Sequence, residues 1–569
     1  MPEDASEMVA EHNPWRLDLV EVERIRAGVE ETVAEEKALD FVQEILAKRQ
    51  KEWEEATQAK PEPQISEWDI QVALNGNEFG DADLAVKIFR GRYLHDNTVA
   101  TTYSWAGTHW AEDANRQVEA DLREVAGIYS KHAKDCHQKA KEAKAKGEDV
   151  EEELLKSKQK ACNTRANKLL ERKRTQTVYK LATAGAGSLG VSGNEWEQEP
   201  TLLACSNGVL ELSTGRLIPG RPEQRLRTAS PFEFHGLHAP APTWDDALLK
   251  ALRMDMEMLD FFERVVGYCS TGLLSFKDFY CAYGPGGDNG KSIIFDALRL
   301  ALGGYGGTIP TSVILEDWGK SKTGPNPELL KLRGLRCCIL SEAKRNARFS
   351  METIKLLTGA DPICVRALYK DPVEFMPTSK FVLHTNYIPR AHGNDPAFHK
   401  RLRILPFKAR FVVPGRGVDA DPEHHIYEAM PSDKLRKILH AEGPGILAWI
   451  CRCAKRFLTT MDLTPPDQVV LAGKDYQEDQ DYIGQWITEC CDLSDHEHRE
   501  QAKDLYGSFC KWLKEEKDYE KPSEFISSRV FGEDLQTRFE RIRSNKVYYK
   551  GVKILDDWWP REGGKPPMF

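Results

Sequence analysis

The chain has 569 residues, 41% hydrophobic and 30% charged, which is enough apolar material for three or four packed domains. A run of about 18 apolar residues and a secretory leader are both missing, so the expectation is a soluble protein of the cytoplasm, in a bacterial host or a virus-infected cell, with no membrane partner. The 13 cysteines without a CxxC pair fit free thiols in a reducing compartment, and the net charge of −10 excludes indiscriminate coating of nucleic acid.

That charge is unevenly spread. Residues 1–60 hold 16 acidic and 8 basic side chains, whereas residues 325–411 hold 16 basic and 7 acidic, which leaves room for a local nucleic-acid track. From Leu17 to about Thr57, Val22, Ile25, Val29, Val33, Val42, Ile45 and Leu46 recur at helical spacing among dense charge, predicting an acidic helical segment over residues 1–60. Pro61-Glu62-Pro63 is a linker. Tyr93, Tyr103, Trp105 and Trp110 with a turn at Gly107 suggest a small hairpin, and residues 116–180 read as charged helix broken near Gly147. The basic run in those helices reads first as a solvated face and otherwise as a DNA contact. Gly185 to Gly190 spells GxGxxG, but it follows helix-like sequence and opens no helix, which argues against a dinucleotide site. Leu202 to Leu217 reads as short strands around Asn207-Gly208 with a second turn at Thr214-Gly215. A helical stretch carrying Trp244, Leu248, Leu252, Met258, Phe261, Phe262 and Val266 follows.

The chain is organised around Tyr283-Gly-Pro-Gly-Gly-Asp-Asn-Gly-Lys-Ser292. An apolar segment, Phe279 to Ala282, predicts a buried strand before it, and Ile293, Ile294, Phe295, Ala297, Leu298 and Leu300 predict a helix after it. Strand, glycine-rich turn, Gly-Lys-Ser and helix together define a phosphate-binding loop. Gly284, Gly286, Gly287, Asp288, Asn289, Gly290, Lys291, Ser292 and Ile293 are its candidate nucleotide-binding residues. Lys291 would reach the β/γ-phosphates and the Ser292 hydroxyl would ligate Mg²⁺. Gly284 and Gly290 enclose five residues where the usual pattern has about four, so the loop carries one extra, Asp288 being the candidate.

Beyond the loop, Leu335 to Glu342 reads as a buried strand ending in a carboxylate, with Glu342 positioned to orient an attacking water. Ser341 stands where an acidic partner is usual, so Mg²⁺ would lean on Ser292, Glu342, the phosphates and water. Cys364 to Phe375 reads as a hairpin with Tyr369-Lys370-Asp371-Pro372 at its tip, and Lys380 to Asn386 as another buried strand ending in a polar pair. Arg401 and Arg403 precede a closing strand.

These four elements in this order resemble the superfamily 3 helicase domain of the phage/plasmid primase–helicase family, which includes poxvirus-type members. The resemblance implies an α/β AAA+ P-loop ATPase core with an α-rich N-terminal region and a C-terminal winged-helix (α+β) domain. It divides the chain into residues 1–60, a helicase-associated region at 66–240, the ATPase at 241–425, a helical lid at 426–478 and the winged helix at 479–569, with Lys546 to Ile554 as the wing. It also implies a ring, a hexamer by analogy, that pulls single-stranded or forked DNA through its centre with ATP and Mg²⁺, moving 3′→5′. By the same resemblance Lys291, Glu342, Asn386 and Arg401 are catalytic, with Asn386 sensing the γ-phosphate and Arg401, ahead of Arg403, reaching a neighbour's ATP. Lys355, Tyr369 and Lys370 would face DNA. His399-Lys400 departs from the family's usual Trp-Arg pair.

The stretch before the linker is too short for a primase domain, so primer synthesis is expected from a separate primase or polymerase. Cys490, Cys491, His496 and His498 match no strong zinc spacing. An origin-binding ATPase that remodels duplex locally, or a DNA-binding scaffold without turnover, are the competing readings.

Overall fold

The computed structural model describes residues 64–560 apart from 317–326, 346, 367–371, 392–394, 416–417 and 518–525. The acidic segment 1–60 and the tip residues Tyr369 and Lys370 therefore lie outside the described residues.

The N-terminal unit starts with α1 (Glu67–Asn75), opened by a capping box between Ser66 and Asp69. It continues through α2 (Asn77–Phe89), β1 (Tyr93–Asp96), β2 (Thr101–Trp105) and β3 (Trp110–Glu112) to a long helical pair, α3 (Arg123–Lys146) and α4 (Asp149–Leu169). Tyr129, Ala133, Cys136, Ala140 and Ala143 form the buried stripe of α3, at alternating spacings of three and four residues. The small size of Ala133, Cys136, Ala140 and Ala143 lets α4 approach through Cys162 and Ala166. Gly147, left-handed at φ 76° and donating its N–H to the helix end, terminates α3 and starts the reversal. The next helix, α5 (Arg172–Ala182), packs on α2 and leads to β4 (Gly190–Val191), which joins a sheet of order β3-β2-β1-β4. The fully buried Asp81 of α2 accepts from Tyr129, Arg165 and Arg174, so its charge is compensated where four helices meet.

A three-stranded antiparallel sheet follows, β5 (Leu202–Cys205), β6 (Gly208–Glu211) and β7 (Arg216–Ile218), then α6 (Pro242–Ala251) and α7 (Met256–Ser270). The central layer is built from β8 (Phe279–Tyr283), α8 (Lys291–Leu302), β9 (Gly306–Thr308), β10 (Cys337–Ser341), α9 (Met351–Leu357), the hairpin β11 (Ile363–Arg366) and β12 (Pro372–Phe375), β13 (Lys380–Thr385), α10 (Pro396–His399) and β14 (Leu402–Pro406). Five of these strands form a parallel sheet in the order β14-β8-β13-β10-β9. Parallel strands need both faces covered, and alternate residues divide accordingly. Tyr280, Ala282, Ile339, Val382 and Leu405 join the core built with α7 and α8. Phe279, Cys281, Leu340, Leu383 and Ile404 join the core on the other face, with Phe349, Ile354 and Phe398.

After β14 the chain makes β15 (Arg410–Val412), paired in parallel with β16 (Ile426–Glu428), so a strand pair straddles the expected 425/426 division. Then come α11 (Ser432–Ala441), α12 (Gly443–Thr460) and α13 (Asp467–Gln480). Close approach of α12 to α7 requires glycine: a Cβ on Gly267 would lie 2.2 Å from the Cys453 carbonyl oxygen. The C-terminal unit has its own core around Trp486, Phe509, Trp512 and Phe531. Three helices, Tyr482–Cys490, Ala502–Glu516 and Ser528–Arg538, pack with an antiparallel sheet whose hairpin joins Glu540–Arg543 to Val547–Lys550. Among the described residues no helix is long and apolar enough to cross a membrane.

Candidate functional site

The site lies at the C-terminal edge of the parallel sheet, where β8 ends and the chain must turn sharply into α8. Gly284 donates its N–H to the Thr385 carbonyl at 3.3 Å. A Cβ on Gly284 would lie 2.5 Å from Asn289 Oδ1 and 2.6 Å from Lys291 Nζ, so a larger residue would block the loop. Gly286, Gly287 and Gly290 each have φ 78° and Asp288 has φ 50°, so the loop accommodates its extra residue by running left-handed. Two bonds anchor the loop to the segment after β14. Phe411 N–H donates to the Asp288 carbonyl at 2.8 Å, and Asn289 Nδ2 donates to the Ala409 carbonyl at 2.8 Å. Gly290 caps α8 with no side-chain acceptor. The first-turn N–H groups of α8 are thus left for an anion, with the positive end of the helix dipole behind them.

Lys291, the first residue of α8, is only 5% exposed. Its Nζ donates to the Gly284 carbonyl at 3.0 Å, Asn289 Oδ1 at 2.9 Å and Asn386 Oδ1 at 3.0 Å. All three ammonium protons therefore have acceptors. Burial pushes its pKa down to about 8, opposed by the charge of Glu342. Glu342 follows β10 in a left-handed conformation, φ 56°, and its N–H donates to the His384 carbonyl at 3.2 Å. Backbone strain of this kind in a non-glycine residue is costly and concentrates at functional sites. Thr385 holds the neighbouring strand end: its Oγ1 accepts from Ala343 N–H at 3.3 Å and donates to the Tyr387 carbonyl at 2.9 Å. Glu342 and Ser292 are both exposed at this edge.

The structure thus brings Lys291, Asn289, Asn386 and Glu342 together. It does not bring Arg401 to them. The Arg401 carbonyl accepts from Phe279 N–H at 2.8 Å, at the start of β8 rather than at its loop end. The five residues of β8 lie between, a span of about 16 Å at strand rise. Arg401 Nε donates to Thr358 Oγ1 at 3.2 Å and Nη1 to the Ala397 carbonyl at 2.8 Å. Arg403 is paired with Asp278 at 3.0 Å. Lys355 is paired with Asp395 at 2.7 Å, and the same carboxylate caps α10 through Ala397 N–H and Phe398 N–H. Lys355 and Arg401 therefore share one hydrogen-bonded patch around α10. The hairpin that would carry Tyr369 and Lys370 is present, with Arg366 opposite Pro372 at its described end.

Sequence reasoning missed Thr385 as a brace, and it missed Lys380. Lys380 opens β13, is 2% exposed, and donates to the carbonyls of Thr271, Leu273 and Thr378. Burial lowers its pKa to about 7. A charged residue inside a strand otherwise buried throughout was the available signal.

Residues 82–253 match the D5 N-terminal-like family, and residues 282–401 match a family described as of unknown function, DUF5906. A protein of Acanthamoeba polyphaga mimivirus named as a candidate helicase is 24% identical over 324 residues, covering 55% of this chain and 33% of that protein. One from Frog virus 3, also named as a candidate helicase, is 23% identical over 390 residues, covering 56% of this chain and 39% of that protein. The matched part is thus between a third and two fifths of those relatives' own length. The apo C-terminal region of NrS-1 aligns at 10% identity and a TM-score of 0.35, covering 66% of this chain and 89% of that one.

Proposed function

We propose that this chain, which is related to the D5-type primase–helicases, is an ATP-driven DNA helicase whose active site is the phosphate-loop pocket. One observation carries the reading. A buried lysine hydrogen-bonds three uncharged oxygens inside a left-handed glycine loop, below the uncapped start of a helix. Such a lysine is held ready for an anion, because phosphate oxygens compensate its charge better than amide oxygens do.

In this reading the loop from Gly284 to Ile293 cradles the triphosphate of ATP, and Lys291 holds its β/γ end. The donor set fits an accompanying Mg²⁺: Ser292 and Glu342 would hold it with water, and when bound it neutralises phosphate charge. Glu342 orients the attacking water and takes its proton. Asn386, released from Lys291 Nζ, reports on the γ-phosphate. Arg401, at the other end of the sheet, serves the ATP of an adjacent subunit in a ring, a hexamer by resemblance. Lys355, Tyr369 and Lys370 face single-stranded DNA in that ring, and the C-terminal helix–hairpin unit acts as a winged helix. Movement is 3′→5′ by the same resemblance.

A strand-displacement assay on forked DNA tests this. The wild type should unwind with ATP and Mg²⁺, and Glu342→Gln should bind ATP without unwinding. ATP hydrolysis with melting of an origin duplex but no displacement would instead establish the initiator reading.

A further inference from the structure

The helical pair of the N-terminal unit carries a charge separation that the ATPase pocket does not use. Its tip, residues 148–153, holds five acidic side chains and no basic one, placed at the start of α4 where a helix N-terminus favours anions. Residues 154–180, the rest of α4 and most of α5, hold nine basic side chains and one acidic one. Of the nine, Arg165 and Arg174 are committed to buried Asp81, Lys156 to Glu152, and Lys158 is half-buried. Lys160, Lys168, Arg172, Lys173 and Lys180 are exposed and form no ion pair among the described residues. On α5, Lys173, Gln176 and Lys180 fall at i, i+3 and i+7, one face of the helix, opposite the buried Val178 and Ala182. On α4, Lys160, Asn163 and Asn167 repeat that spacing, and Lys168 adjoins them. Each helix thus presents cations over about 12 Å, interleaved with neutral hydrogen-bonding side chains.

We propose that this α4–α5 face binds the phosphate backbone of double-stranded DNA, the unopened arm of the substrate. The nucleic-acid occupant rests on the helicase reading; the surface itself does not. Charge complementarity selects a polyanion, since exposed cations without ion-pair partners neutralise phosphates and release the polyanion's condensed counterions into solution. The side-chain types select duplex over single strand. Single-strand sites combine cations with aromatic platforms for the bases. The one aromatic residue on α4 and α5, Tyr179, is half-buried and tied to Thr102 Oγ1 and His95 Nδ1. Lysine, arginine, asparagine and glutamine without aromatics are the groups that contact phosphates and fix a protein on a duplex.

The experiment is fluorescence anisotropy of the full chain with a blunt, labelled DNA duplex and with a labelled single strand, across a salt series and without nucleotide. Lys168→Ala/Arg172→Ala/Lys173→Ala/Lys180→Ala should weaken duplex binding by about tenfold or more and make the salt dependence shallower by about 3 to 4 in slope. Its melting temperature and DNA-free ATPase should match wild type. The charge-keeping set Lys168→Arg/Lys173→Arg/Lys180→Arg should bind as wild type. Unchanged duplex affinity and slope in the alanine variant would overturn the proposal, as would a loss confined to the single strand. So would a wild type that never binds duplex. Because no nucleotide is present, failure of the ATPase reading would appear in the turnover assays and leave this result standing.

Discussion

The two ends of the parallel sheet each bury a lysine, and their difference separates a site from a strut. At the C-terminal end Lys291 is held by two side-chain amide oxygens and one carbonyl. At the N-terminal end Lys380, on the strand that terminates beside Asn386, is held by three backbone carbonyls. Burial lowers both pKa values, to about 8 and about 7. The Asn386 amide can rotate away when an anion arrives, whereas carbonyls fixed by the fold cannot. The first lysine is therefore exchangeable and the second structural. The N-terminal end also carries the Lys355–Asp395–α10–Arg401 patch, whose groups have no partner at the phosphate loop of their own chain.

The largest expected effect comes from Lys291. Lys291→Ala should lose ATP turnover by roughly 10²–10³-fold, measured by phosphate release, while its melting temperature holds, because a charge that is costly to bury has been removed. The sign of the pH dependence follows from the same burial. A lysine lowered from 10.5 to about 8 gives up its proton in the folded state first. Its destabilising contribution is full below pH 8 and shrinks as pH rises toward 10.5. Triphosphate binding should reverse that shift, so calorimetry in two buffers at pH 8 should detect uptake of about half a proton. Zero uptake would mean that Lys291 does not meet the phosphates.

Lys380→Met sharpens the contrast from the other side. It strands the buried Thr271 carbonyl and removes the donor to two half-buried ones, so chemical denaturation should show a loss of about 1–3 kcal/mol, with nucleotide affinity unchanged. Equal loss of ATP binding would make Lys380 part of the site. The smallest effect is at Lys355, whose pair with Asp395 is partly exposed. Lys355→Ala should cost no more than about 1 kcal/mol yet reduce stimulation of ATPase by single-stranded DNA. Unchanged stimulation would confine Lys355 to holding α10.

Strand, loop and helix around Lys291 were legible because buried parallel strands read as near-continuous apolar runs and glycine marks the turn. The extra loop residue was legible as a count. Its anchoring was not, since Phe411 reaches the Asp288 carbonyl through backbone atoms that leave no trace in residue type. The bond from Lys291 to Asn386 spans 95 positions, a contact that only the strand order creates. Lys380 escaped notice for the same reason: its acceptors are carbonyls. Arg401 was legible as a basic residue before a closing strand, but nothing local gave its distance from the loop.

That distance makes a mixing experiment the most direct test of the account. Lys291→Ala and Arg401→Ala remove one residue from each end of the sheet, and each variant alone should lack ATP turnover. In assemblies that exchange subunits, a boundary of the correct order joins an intact loop to an intact arginine from the neighbour, so mixing the two inactive variants should restore part of the turnover. Assemblies shown to be mixed that recover none would contradict the division of the active site between the two ends of adjacent sheets.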